Sequence, residues 1–187
     1  MKNIYFVRHG ESEMNVAGLV SGSGFGSIDT QLTPVGIEQA KKAGKKARES
    51  GLVFDVILSS PLKRAHLTAK TIAEHIYYPK HKINLHKELQ ERHFGDMEGK
   101  TLQDFDVTPE MFVADPYAID HVPNIEKIED LQSRADEFWN HVNSMPDDKI
   151  LIVGHGAFGR ALNRSANKLP ITEFGETLEN AKIIKLI

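Results

Sequence analysis

The chain has 187 residues, 40% of them hydrophobic and 26% charged, with a formal net charge of −3; that size and balance suit one globular domain over 1–187 with a substantial core. A pI of about 6.3 and the lack of a basic arm argue against a nucleic-acid partner, and the cluster Lys41, Lys42, Lys45, Lys46 reads as the solvated face of a helix. There is no cysteine, which excludes disulfides, thiolate nucleophiles and cysteine-based zinc sites, and no signal peptide or membrane-spanning run is visible, so a cytoplasmic protein without a membrane partner is expected.

The opening segment, KNIYFVRHGESEMN from Lys2 to Asn15, carries the run Ile4, Tyr5, Phe6, Val7. It is too short for a helix and rich in β-branched and aromatic residues, so it predicts a buried strand. Arg8 and His9 fall at its end, and Gly10 permits a sharp turn. In an open α/β sheet that edge is where ligands bind. A cation beside an imidazole there suits a phosphoryl group, since Arg offers a planar fork to phosphate oxygens and a neutral imidazole nitrogen can attack phosphorus.

Gly18 to Thr30 is glycine-rich and predicts a loop, fit either to press N–H groups against a phosphate or to serve as a connector. Thr33 and Pro34 cap and open a helix with Ile37, Ala40, Gly44 and Ala47 at helical spacing, ended by Gly51. Phe54 to Ser60 predicts a second buried strand, and Pro61 opens a helix whose apolar stripe runs from Leu62 to Ile76. Arg64 lies one turn in, where position alone favours a surface cation. Ile83 to Leu89 predicts a third, weaker strand, with Glu91 at its end and Glu98 before Gly99. His93 has no second His at ligand spacing, so it reads as an exposed or hydrogen-bonded residue. Thr108 and Pro109 cap a short helix through Ala114, and Pro116 and Pro123 punctuate the stretch beyond it. A helix from about Glu126 to Asn143, a strand Lys149 to Val153, the turn Gly154, His155, Gly156, a helix to Asn167 and an edge strand Lys182 to Ile187 complete the chain. This alternation predicts an α/β three-layer sandwich, a mostly parallel central sheet with helices on both faces.

Five segments resemble the histidine phosphatase superfamily, the cofactor-dependent phosphoglycerate mutases and their phosphatase relatives. They are Arg8, His9, Gly10, Glu11, Ser12 with Asn15; Leu32 to Ala40; Ser59, Ser60, Pro61, Leu62 with Arg64, Ala65, Thr68, Ala69; Leu89 to Gly99; and Gly154, His155, Gly156. The resemblance implies that His9 is transiently phosphorylated, that Arg64 clamps the phosphoryl group, that Glu91 protonates the leaving oxygen and that His155 faces His9 across the phosphate. It also implies that Gly18 to Gly22, with Ser21 and Gly22, lines the pocket, and that Gly24 to Gly26 is an insertion. Relatives often show Gly-Glu-Ser before the long helix where this chain has Ile125, Glu126, Lys127. The stretch after the third segment is shorter than in the mutases, which favours a phosphatase.

Each of His9, Arg64, Glu91 and His155 follows a predicted strand, so a parallel sheet would gather all four at one edge. Phosphoryl transfer needs fixed positive charge around three oxygens, and Arg8, Arg64, a protonated His155 and the neutral donor Asn15 would supply it without Mg²⁺. The expectation is a phosphatase that hydrolyses a small phosphomonoester, with no metal and no cofactor; an isomerase of the mutase type is the alternative and an inert phosphate-binding module a third.

Overall fold

A computed structural model describes residues 2–23, 29–115, 117–173 and 177–187. The first strand, β1 (Asn3–Arg8), leads into a short helix α1 (Glu13–Ala17) and the long helix α2 (Pro34–Glu49). Then come β2 (Val56–Ser59), α3 (Lys63–His75), β3 (Asn84–Leu85) and α4 (Pro109–Ala114). The chain closes with α5 (Ile128–Ser144), β4 (Lys149–Gly154), α6 (Gly156–Asn167) and β5 (Ile183–Lys185). The sheet order is β3-β2-β4-β1-β5. Every pairing is parallel except that of β5 with β1.

Alternate residues of the apolar strands face opposite helical layers, which is why the strands read as unbroken hydrophobic runs. Ile4, Phe6, Leu58, Ile150 and Ile152 join the core with Leu131, Phe138, Phe158 and Leu162 of α5 and α6. On the other face Val7, Ile57, Leu151 and Val153 pack with Ala65, Ala69 and Ile72 of α3. The three-layer arrangement expected from the sequence is therefore present.

Local boundaries differ for identifiable reasons. The third strand holds only Asn84 and Leu85 and gives way to a 3-10 turn at Lys87–Leu89. The Glu88 and Gln90 carbonyls instead accept from Arg134 Nη1 of α5, at 2.6 and 2.9 Å, so they are not part of a ladder. Glu91 thus stands in irregular backbone and not at a strand end. α3 begins at Lys63, two residues after Pro61, because Ser60 Oγ accepts from the Leu62 N–H in the turn before it. α5 begins at Ile128, since Glu126 is engaged elsewhere: its carboxylate is bidentate to Arg134 at 2.9 and 2.8 Å and accepts the His93 N–H at 3.0 Å. α1 is an addition to the expected elements; Ser12 caps it and Asn15 Oδ1 returns to the Ser12 N–H. The Thr33 and Thr108 caps and their following prolines stand as predicted. The expected insertion at Gly24 to Gly26, and Pro116, lie outside the described residues.

Candidate active site

β1 and β4 pair with Arg8 opposite Gly154, so His9 and His155 leave adjacent strands side by side. Their ring centroids are 5.2 Å apart. His9 Nδ1 lies 2.7 Å from the Gly10 carbonyl. A carbonyl only accepts, so Nδ1 carries the proton and Nε2 keeps its lone pair. The backbone beneath the ring is held on both sides: His9 N–H donates to Gly154 O at 3.0 Å, and Asn180 Nδ2 donates to His9 O at 2.8 Å. Gly10 N–H donates to Thr68 Oγ1 at 3.0 Å, which ties the turn to α3. A Cβ at Gly10 would fall 2.4 Å from Gly36 O, so the turn can press against the start of α2 only as glycine.

Three donor groups gather near that imidazole with hydrogen-bonding capacity to spare among the described residues. Arg64, 1% exposed, gives Nη2 to the Gly22 and Ser21 carbonyls at 3.2 and 3.4 Å, while its Nε and Nη1 are buried without a partner. Arg8 gives Nη1 to Leu178 O at 3.0 Å and has a buried, unpartnered Nε. His155 is fully buried; its Nε2 lies 2.8 Å from Ser60 Oγ and its Nδ1 has no partner. Ser60 Oγ already accepts from Leu62 N–H, so we assign its hydroxyl proton to His155 Nε2 and the ring proton to Nδ1. Buried donors left unpaired are costly, and several together mark a place built for an anion.

Both imidazoles titrate well below their ordinary value near 6.5. Burial is the largest cause for each, followed by Arg64; Arg8 opposes protonation of both, and the two rings are close enough for His9 to disfavour charge on His155. Burial and the surrounding guanidinium groups thus disfavour the protonated form of His155 that the sequence reading anticipated as a third cation. An incoming phosphate dianion would oppose that shift.

Glu91, 7% exposed, caps α6. Its Oε1 accepts from the N–H groups of Arg92, Ala157 and Phe158 at 2.9, 3.1 and 3.0 Å, whereas Oε2 receives only Ala157, at 3.1 Å. A Cβ built on Gly156 would lie 3.6 Å from Arg8 Nε and 3.7 Å from Glu91 Oε2, which sets guanidinium and carboxylate on either side of that glycine. Arg8, His9, Asn15, Ser21 and Glu91 line one cavity of about 340 Å³. Arg64, His155 and Gly22 are not among its lining residues; Gly22 packs where a Cβ would meet Glu98 Oε1 at 2.2 Å. Asn15 is exposed at the rim, its Oδ1 spent on capping α1. Glu126, paired with Arg134, is not among the lining residues, and His93 Nδ1 accepts from the Gly95 N–H at 2.9 Å as a plain hydrogen-bonded histidine.

The histidine phosphatase superfamily (branch 1) matches residues 4–187. The chain belongs to that family. This histidine phosphatase homologue is 32% identical to the uncharacterized phosphatase PhoE of Bacillus subtilis over 163 residues, 87% of this chain and 76% of that one. It is also 32% identical to a 2,3-bisphosphoglycerate-dependent phosphoglycerate mutase of Histophilus somni over 193 residues, 85% of this chain and 82% of the mutase. The phosphoserine phosphatase of Entamoeba histolytica, solved with 3-phosphoglyceric acid, superposes with a TM-score of 0.79 at 25% identity, covering 99% of this chain and 90% of its own.

Several residues of the histidine phosphatase pocket carry no mark in the sequence that reasoning by motif can use. Asn180 and Leu178 reach His9 and Arg8 from the segment before β5, and Arg160 enters the cavity from α6. Ser60 and Thr68 belong to a recognised segment, yet only their contacts show that one orients His155 and the other holds Gly10. Phe94, Leu102, Phe112 and Val113 form the apolar side opposite the strand ends. Chemically, the arrangement offers a bare imidazole nitrogen, a ring of donors for an anion and one carboxyl group within reach.

Proposed function

We propose that this chain is a phosphatase that hydrolyses small phosphomonoesters through a phosphohistidine on His9, with Glu91 as proton donor and no metal ion. The observation that carries the reading is the unprotonated His9 Nε2 near the unpartnered N–H groups of Arg8, Arg64 and His155. In the first step Nε2 attacks phosphorus, the ester P–O bond breaks, and the leaving alkoxide takes a proton from Glu91. In the second, Glu91 takes a proton from water as that water displaces the P–N bond, which releases phosphate and restores His9. Oε2, with its single N–H contact, is the oxygen suited to both transfers. The guanidinium groups of Arg8 and Arg64 and the Nδ1–H of His155 stabilise the equatorial oxygens, the work a magnesium ion does elsewhere. Asn15 and Ser21 complete the phosphate contacts from the rim.

Length supports hydrolysis over isomerisation. The match to the mutase runs over 193 positions yet takes in 85% of this 187-residue chain, so the mutase carries insertions that this chain lacks, whereas the 163-position match to PhoE takes in 87%. The test is phosphate release from a panel of phosphomonoesters in excess chelator. Release that disappears in His9→Ala is the expected result. Conversion of 3-phosphoglycerate to its 2-isomer without matching phosphate would assign the mutase reaction instead, and loss of activity on chelation would refute the metal-free mechanism.

A further inference from the structure

One recognised segment, Leu32 to Ala40 at the start of α2, has no work in the hydrolytic mechanism. Its first turn lies directly on the backbone that follows His9. A Cβ at Gly36 would fall 2.0 Å from Glu11 O and 2.8 Å from Glu11 N, so this close approach, like that at Gly10, requires glycine. Thr33 fixes the contact: its N–H donates to Glu11 O at 3.0 Å and its hydroxyl to Glu11 Oε1 at 2.7 Å. Glu11 is thereby turned to the helix and is not among the residues lining the cavity. One turn beyond Gly36, Gln39 Oε1 accepts the Glu11 N–H at 2.9 Å.

That N–H belongs to the same peptide group as the Gly10 carbonyl, the acceptor 2.7 Å from His9 Nδ1. A trans peptide group is planar and points its C=O and N–H in opposite directions. A single rigid unit therefore stands between the imidazole and the Gln39 amide, with a hydrogen bond at each end. Rotation of that unit would swing the carbonyl away from Nδ1, and the Gln39 bond resists it. Hydrogen bonds in series also polarise one another, so acceptance of the N–H makes the Gly10 oxygen a better acceptor and leaves Nε2, across the ring, richer in electrons. Thr68 acts on the preceding peptide, through the Gly10 N–H, and so on the turn but not on this carbonyl. Gln39 does not line the cavity; it faces a groove between α2 and the segment leading into β5, so it meets neither substrate nor the reacting atoms. We propose that Gln39 is a positioning residue for the nucleophile: by pinning the Gly10–Glu11 peptide it keeps the His9 proton on Nδ1 and Nε2 bare for attack. This rests on the assignment of His9 as the nucleophile.

Gln39→Met keeps the length of the side chain and removes the acceptor, whereas Gln39→Glu keeps both. Steady-state phosphate release from Gln39→Met should show kcat lowered about 10-fold, the worth of one hydrogen bond, with KM changed by less than about twofold for every phosphomonoester tested. Gln39→Glu should recover most of that loss. The deciding signature is nitrogen NMR of protein labelled with ¹⁵N-histidine at neutral pH. The parent and Gln39→Glu should hold His9 as the Nδ1–H tautomer, and Gln39→Met should show a mixture of the two tautomers. Should Met prevent folding, Gln39→Asn, an amide one methylene too short to reach, should give the same loss and the same mixture. A folded Gln39→Met or Gln39→Asn protein with the parent's tautomer would overturn the proposal even if kcat fell, as would a Gln39→Glu enzyme as impaired as either. A parent enzyme that turns over without a phosphoryl group on His9 would refute the nucleophile instead, and the tautomer comparison would still decide whether Gln39 sets the state of the ring.

Discussion

The inner and outer ends of the cavity are built in different ways. At the inner end His9, Arg64 and His155 are at most 4% exposed and are held by strand register, by the Thr68 and Ser60 hydroxyls and by backbone carbonyls. At the outer end the wall comes from a six-residue helix, a 3-10 turn and the segment before β5, with Phe112 only partly buried. On the proposed phosphomonoesterase reading, the sheet fixes what every substrate shares, and loops handle what differs among them. Changes at the inner end should therefore act on the chemical step, and changes at the outer end on which ester is chosen.

The largest effect is expected at Arg64. Arg64→Met removes two buried, unpartnered donors together with their charge and should lower kcat/KM by at least about 10²- to 10³-fold for every phosphomonoester alike, measured by phosphate release. A loss confined to one substrate would erase the distinction between the two ends.

A second consequence concerns pH. Folding keeps His9 and His155 neutral below their ordinary value, so the unfolded chain binds more protons than the folded one as pH drops beneath about 6.5. Stability from these groups is fully present above that pH and is lost on acidification, by about 1.4 kcal/mol per pH unit for each imidazole, until the depressed folded values are reached. Urea unfolding at pH 7.0 and 5.5 should show a smaller loss for His155→Asn than for the parent. Identical losses would mean that the inner end is not a dehydrated, cationic place.

The smallest effect belongs to the outer wall. Phe112→Ala removes an apolar face that packs against Phe94 at 5.5 Å between centroids and should shift KM among substrates by no more than about tenfold, with kcat little altered. Steady-state kinetics on O-phosphoserine and on p-nitrophenyl phosphate would check this; a collapse of kcat would place Phe112 among the groups that the chemical step requires.

The same division explains what can be read from sequence. Strands, glycine turns and threonine-proline caps are local, and each registers in a few consecutive residues: Ile4 to Val7 before His9, Ile150 to Val153 before His155, Thr33 before Pro34. Since parallel strands end at one edge, the convergence of His9, Arg64 and His155 is a consequence of those local signals. The local pattern sets Glu91 on the wrong kind of backbone, because its support comes from N–H groups of Ala157 and Phe158 and from the Arg134 grip on Glu88 and Gln90, all distant in sequence. The balance of charge at His155 is likewise non-local, since burial and cations from other elements together disfavour its protonated form. Asn180 and Arg160 stay hidden, because each is an ordinary polar residue until the fold sets it beside the cavity.

The most direct test is to mix the protein with ³²P-labelled phosphomonoester, quench in alkali within the first turnover and map the labelled peptide. A base-stable, acid-labile phosphoryl group on His9, up to one per chain and absent in His9→Ala, is the predicted result. Turnover with no protein-bound phosphate, or with the label on another residue, would contradict it.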